Sequence, residues 1–168
     1  MLNEKKIAIL YHHYVSGTYS TENFKFFLKN GINDSSKYFF SIVDGDKDSF
    51  QNTENCHFYH VKNQDLDYGG ISFLISEKVD LNYFDYIIVL NSTVMGPFLK
   101  PGKEEFWQES FVKLLNDDVH MVGISISLLH KNSIHAIEYN QKYSTHGIVP
   151  HVQSMAYALT SEALQYLI

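Results

Sequence analysis

A chain of 168 residues with 45% hydrophobic and 19% charged residues is one domain long and apolar enough to bury a core, which excludes an intrinsically disordered protein. Thirteen lysines and no arginine stand against 19 acidic residues, a formal net charge of −6 that excludes the basic surface non-specific nucleic-acid binding requires. Without arginine, any phosphate must be held by lysine, backbone N–H groups, a helix N-terminus or a metal.

The lone cysteine, Cys56, forbids an internal disulfide and gives no sign of an oxidising compartment. The start, MLNEKKIAIL, has too short an apolar stretch for a signal peptide or a membrane span, so a cytoplasmic chain without a transmembrane segment is expected. Aromatic residues reach 15%, which suits core packing and also stacking against sugars or bases.

In chain order, 6–11 (KIAILY) reads as a first buried strand ending at His12-His13-Tyr14. A helix follows over 21–29, with Phe24, Phe27 and Leu28 on one face and Asn30-Gly31 as its stop. A second strand covers 38–43 and closes at Asp44-Gly45-Asp46; the polar stretch 47–55 is a loop, and 56–61 a third strand. Asp65-Leu66-Asp67-Tyr68-Gly69-Gly70 then reads as a turn before a helix over 71–79.

The stretch 84–98, FDYIIVLNSTVMGPF, organises the rest. Its β-branched run Tyr86-Ile87-Ile88-Val89-Leu90 is short and bounded by turn residues, as in a strand buried on both faces. Ligands of open α/β sheets bind outside the carboxyl ends of such strands, where Asn91, Ser92 and Thr93 stand. Farther on, a helix is expected over 104–115 with Phe106, Phe111, Leu114 and Leu115 inward, and a fifth strand over 119–126. Residues 127–149 read as irregular with a strand near 134–138, and 154–159 as strand-like. Thr160 or Ser161 caps a final helix that reads as interrupted at Ile168, as in a truncated product.

Alternating strands and helices predict a mostly parallel sheet with helices on its faces. Several familiar sites are excluded. No G-x-G-x-x-G follows the first strand, and no P-loop, H-E-x-x-H or G-x-S-x-G occurs. His12 and His13 are strand neighbours pointing to opposite faces, a poor shared metal site. Two groups survive. Asp65 to Gly70 sets carboxylates and two glycines at a strand-to-helix junction, where a ligand or another backbone can approach closely. Pro150-His151-Val152-Gln153-Ser154-Met155 gathers an imidazole, an amide and a hydroxyl.

Together these segments resemble the glycosyltransferase-like proteins of the GT-A, or nucleotide-diphospho-sugar transferase, fold. The matching features are Asp67-Tyr68-Gly69-Gly70 after the third strand, Phe84-Asp85-Tyr86 leading into Leu90-Asn91-Ser92-Thr93-Val94, and Gly96-Pro97-Phe98. Trp107, Asp117-Asp118, Val122-Gly123 and the 150–155 segment continue the order almost to the end. The resemblance implies a single Rossmann-like GT-A domain over 1–168 and a hexosyltransferase acting in surface polysaccharide synthesis. It implies a nucleotide-sugar donor with base and ribose near His12, Tyr14 and Asp44, faced by Asp65, Asp67, Gly69 and Gly70. The diphosphate would lie at Asn91, Ser92 and Thr93, and a glycan or lipid-linked molecule would be the acceptor.

The wider fold commonly carries an Asp-x-Asp pair at that last position, holding a divalent cation on the leaving diphosphate. Asn91-Ser92-Thr93 departs from it, since neutral oxygens replace carboxylates poorly around a hard cation. Whether Mn²⁺ or Mg²⁺ takes part, held by Asp65 or Asp67, stays open, and no metal ligand is assigned. His151 and Glu162 are the late candidates for a general base. The alternatives are a non-catalytic or truncated relative that binds a glycan or a partner chain, and a hydrolase or nucleotidyltransferase on a similar sheet.

Overall fold

The computed structural model describes residues 5–14, 18–45, 49–64, 66–98 and 107–168. Four apolar runs become parallel strands: β1 (Ile7–Tyr14), β2 (Lys37–Val43), β3 (Cys56–Val61) and β4 (Tyr86–Asn91). They pair in the order β3-β2-β1-β4, with Ile9 beside Tyr38 on one side and Ile88 on the other. Two further strands complete a six-stranded sheet. β8 (Ala156–Thr160) runs antiparallel to β4, and β5 (Met121–Gly123) runs antiparallel to β8. β6 (Ile126–Leu129) and β7 (Val149–Val152) form a separate antiparallel ribbon.

Helices cover both faces of the sheet, and the pleat sorts the side chains between them. Ile7, Ile9, Tyr11, Ile88 and Leu90 enter one layer with Phe24 and Phe27 of α1 (Thr18–Asn30), Trp107, and Val112 of the short α3 (Glu109–Val112). Ala8, Leu10, Ile87 and Val89 enter the other, with Ile71 and Leu74 of α2 (Leu66–Glu77) and Leu164 of α5 (Ser161–Leu167). This two-sided burial is why β4 reads as an unbroken apolar run.

Most of the buried aromatic side chains lie in the first layer. Tyr11 and Phe27 lie 4.7 Å apart between ring centroids, and Phe40 stacks on Phe58 at 4.5 Å. Trp107 donates its indole N–H to the Gly31 carbonyl at 2.7 Å. The fully buried Gln108 amide donates to Ser36 Oγ and Tyr38 Oη, both at 3.1 Å. These bonds pin the 107–112 segment against the turn between α1 and β2.

Several boundaries differ from the sequence reading. β1 runs on through His12 and His13, and α2 starts at Leu66, which puts Tyr68, Gly69 and Gly70 inside the helix rather than in a turn. Of the helix expected over 104–115, residues 104–106 lie outside the described residues; in the rest only a single turn forms, and Leu114 is half exposed. The expected fifth strand divides into β5 and β6, because the chain leaves the main sheet between them. Around 134–138 there is no strand but α4 (Ile134–Tyr143), capped by Ser133, whose hydroxyl accepts from the Ala136 N–H at 3.2 Å. Thr160 caps α5 in the same way, accepting from the Ala163 N–H at 3.2 Å.

Among the described residues no helix is long and apolar enough to cross a membrane. Ile88 has no exposed surface and sits in the central strand pair. Ile88→Ala is therefore expected to cost about 2–5 kcal/mol. Urea unfolding followed by the fluorescence of buried Trp107 measures it; a loss below about 1 kcal/mol contradicts the two-sided core.

Candidate functional site

In the order β3-β2-β1-β4 the chain winds outward from β1 in one direction and resumes on its other side with β4. That reversal is the switch point of an open α/β sheet, and it opens a crevice beyond the carboxyl ends of β1 and β4. β1 brings His12, His13 and Tyr14 to this edge, β2 brings Ser41 and leads into Asp44, and β4 brings Asn91 and leads into Ser92 and Thr93. α1 begins just past the end of β1, so its amino terminus lies on the same side.

The two histidines do point to opposite faces. His12 Nδ1 lies 2.9 Å from Ser41 Oγ, under α2. Gly70 makes this possible: a β-carbon there would overlap the His12 ring and come 2.7 Å from Ser41 Oγ. The close approach expected at this glycine is made by the protein's own imidazole and hydroxyl, not by a ligand. Gly69, on the same helix, lines a different groove with His60, Lys62 and Gln64 at the outer flank of the sheet.

His13 stacks on Phe24 with ring centroids 4.2 Å apart and is 2% exposed; among the described residues its Nδ1 has no hydrogen-bond partner. Burial, with a smaller contribution from the neighbouring His12, lowers its pKa to about 4, so the ring is neutral at pH 7. It borders a pocket of about 210 Å³ shared with Phe24, Lys25, Asp44, Ser49 and Phe50. Asp44 stands there in a left-handed conformation, φ 57°, directly after β2. Such a pocket offers the partly exposed Phe50 ring for a planar group, a carboxylate for N–H or hydroxyl donors, and a lysine for an anion.

The triplet after β4 is more constrained than its composition announces. The Asn91 carboxamide oxygen accepts from the Thr93 backbone N–H at 3.1 Å and from the Thr93 hydroxyl, which occupies both of its lone pairs. Ser92 is buried, its N–H donating to the His12 carbonyl at 3.0 Å and its own carbonyl accepting from the Asn23 amide at 3.1 Å. Only Thr93 of the three is exposed. These bonds fix a turn that ties the ends of β1, β4 and α1 together.

The 153–155 segment also reaches this edge, since the Asn91 N–H donates to the Met155 carbonyl at 3.1 Å. His151, on β7 just before it, is exposed on the ribbon beyond the edge. Glu162 is not brought together with these groups. Thr160 pairs with Tyr86, so α5 starts at the amino end of β4, a full strand length from Asn91. Asp65 lies outside the described residues, and of Asp67 only its place in the first turn of α2 is described. Among the described residues no three His, Cys, Asp or Glu side chains converge as a metal site would require. Sequence reasoning missed Lys25, Phe24 and Phe50, and set His13 aside; Phe24 and Lys25 look like the two faces of an ordinary amphipathic helix.

Two outcomes follow from this geometry. Alanine normally stabilises a helix by about 1 kcal/mol over glycine, yet Gly70→Ala is expected to destabilise by about 1–3 kcal/mol because His12 must move. Thermal or urea unfolding reads the sign, and a stabilised variant contradicts the contact. For His13, the folded value of about 4 lies below the ~6.5 of an unfolded imidazole. Between these values the unfolded chain binds the extra proton, so this contribution is full above about pH 6.5 and is lost as pH falls toward 4. Wild type is expected to lose up to roughly 3 kcal/mol more than His13→Phe between about pH 7 and 4; equal losses contradict a buried neutral ring.

Compared with protein-family models and with curated proteins, the chain matches none.

Proposed function

We propose that the chain is a glycosyltransferase domain of GT-A type, which binds a nucleotide-sugar donor at the carboxyl edge of β1, β2 and β4. The reading rests on one observation above the others. The pocket beside His13 and Asp44 and the rigid turn at Ser92 and Thr93 both lie at the carboxyl edge of the sheet, on either side of β1. A base placed in the pocket stacks on an aromatic wall and donates to Asp44. The diphosphate then extends toward Thr93 and the amino terminus of α1, with Lys25 as a positive group on the way. Transfer to a glycan or lipid-linked acceptor needs a base for the acceptor hydroxyl, a role given to His151, exposed on the ribbon just beyond this edge. The acceptor oxygen attacks the anomeric carbon, its proton passes to the imidazole, and the nucleoside diphosphate leaves with the bonding electrons.

A second reading, a donor-binding domain without catalysis, has its own support. Asn91 stands where an acidic metal ligand is usual, and its carboxamide oxygen is already committed to Thr93. Among the described residues of this edge, charge on a departing diphosphate then falls to Lys25 and backbone N–H groups.

A panel of UDP-, GDP-, CDP- and dTDP-sugars, with and without Mn²⁺, tests binding by thermal shift. At one hundred times Kd a ligand adds roughly 2.7 kcal/mol, or about 5–10 °C for a chain of this size. One donor is expected to give that shift, and Asp44→Ala and Lys25→Ala are each expected to lose more than half of it. No shift with any donor sinks both readings. A shift without transfer to any acceptor, and unchanged by His151→Ala, leaves the binding domain.

A further inference from the structure

Between β5 and β8 the chain leaves the main sheet to build the β6–β7 ribbon, with α4 between its strands. The register sets Ile126 beside Val152 and Leu128 beside Pro150 on one ribbon face, and Ser127 beside His151 and Leu129 beside Val149 on the other. α4 packs against β7 and buries Ala136 and Val149. The first face is apolar throughout and, apart from half-buried Val152 beside Gly123, is left exposed. Ile126 is 66% exposed, Leu128 64% and Ile148, which continues the stripe, 63%. At its inner end the stripe reaches Ile124, which lines an apolar pocket of about 340 Å³ with Leu90, Val94 and Trp107.

Charge distinguishes this excursion from the body. With histidines neutral, residues 126–152 carry two lysines against one glutamate, a net charge of +1 in a chain whose net charge is −6. Lys131, His130 and His146 stand at the free end of the ribbon, next to Ile148. Tyr139 and Tyr143 pair on α4 at 4.7 Å, both about half exposed. Aliphatic tips beside a lysine on the ribbon, with amphipathic tyrosines on the adjoining α4, are the chemistry of a lipid–water interface. A second copy of the chain fits less well, since a stripe of six residues falls far short of the roughly 20–30 per side of a stable interface.

We propose that the β6–β7 ribbon docks on an anionic lipid bilayer, with Ile126, Leu128 and Ile148 entering the interface and Lys131 among the headgroups. The proposal stands independently of the donor chemistry. Docking there holds the switch-point edge close to the membrane, because β7 leads through 153–155 directly to Asn91.

Co-sedimentation with vesicles of phosphatidylcholine containing about 30% phosphatidylglycerol, against phosphatidylcholine alone, tests it at low and at physiological salt. The protein is expected to pellet with the anionic vesicles, less so as salt rises. Ile126→Ser/Leu128→Ser is expected to lower partitioning about tenfold, and Lys131→Glu several-fold. Both changes are on exposed positions, and unchanged thermal unfolding confirms that the variants fold. Wild-type protein that stays in the supernatant with both vesicle types overturns the proposal. So does equal binding by the variants. A dimer abolished by Ile126→Ser/Leu128→Ser, without vesicle binding, also overturns it and assigns the face to a second copy.

Discussion

A parallel strand covered by helices on both faces has no place for a polar side chain until it leaves the sheet. β1 and β4 follow this constraint over most of their length: Ile7 to Leu10 and Ile87 to Leu90 are all buried and apolar. Tyr11 buries its ring among aromatic neighbours, and the imidazole and carboxamide come only at His12 and Asn91. The β1–β4 register aligns those two residues. Core burial and site placement are thus consequences of one pattern. The sheet that stabilises the domain also concentrates its polar groups along a single edge, where the winding order opens a crevice.

Within that edge the polar groups divide by task. His12, Ser41, Asn91 and Ser92 spend hydrogen bonds on one another or on backbone, joining β1, β2, β4 and α1 into a rigid floor. Gly70 belongs to the same floor, since it lets α2 close over His12. His13, Asp44, Lys25 and Thr93 remain turned toward the pocket and the crevice rim. A neutral His13 beside Phe24 makes the pocket wall uncharged, so Asp44 and Lys25 set its electrostatics. In a chain without arginine, that lysine carries unusual weight for any phosphate-bearing ligand.

Much of this was legible in the sequence. Strands buried on both faces announce themselves as short β-branched runs, and β1 to β4 fall where those runs lie, with errors confined to their ends. The strand-to-helix junction at 65–70 was harder. Two adjacent glycines signal a turn locally, but here both sit inside α2, and Gly70 does so because packing against His12 requires it. Tertiary contact overrode propensity. α4 was misread because Ile134 and Ile137 look strand-like when the Ser133 cap is overlooked. The division of Asn91, Ser92 and Thr93 into two buried groups and one exposed could not be read at all, since it depends on bonds to α1 and β1. Nor could Lys25 be found, because only the fold brings its helix beside Asp44. Glu162 is a fair candidate from chain order alone, but the antiparallel course of β8 carries it to the far edge.

The central claim is that ligand binding is confined to the carboxyl edge around the β1–β4 switch point. Backbone amide NMR during titration with the nucleoside diphosphate of the best donor tests it most directly. The account predicts that the largest shift changes cluster at His13, Lys25, Asp44, Gly45, Ser92 and Thr93, with Ile88 and the start of α5 unmoved. Changes centred instead on the groove between β3 and α2, or on the amino edge near Glu162, would contradict it.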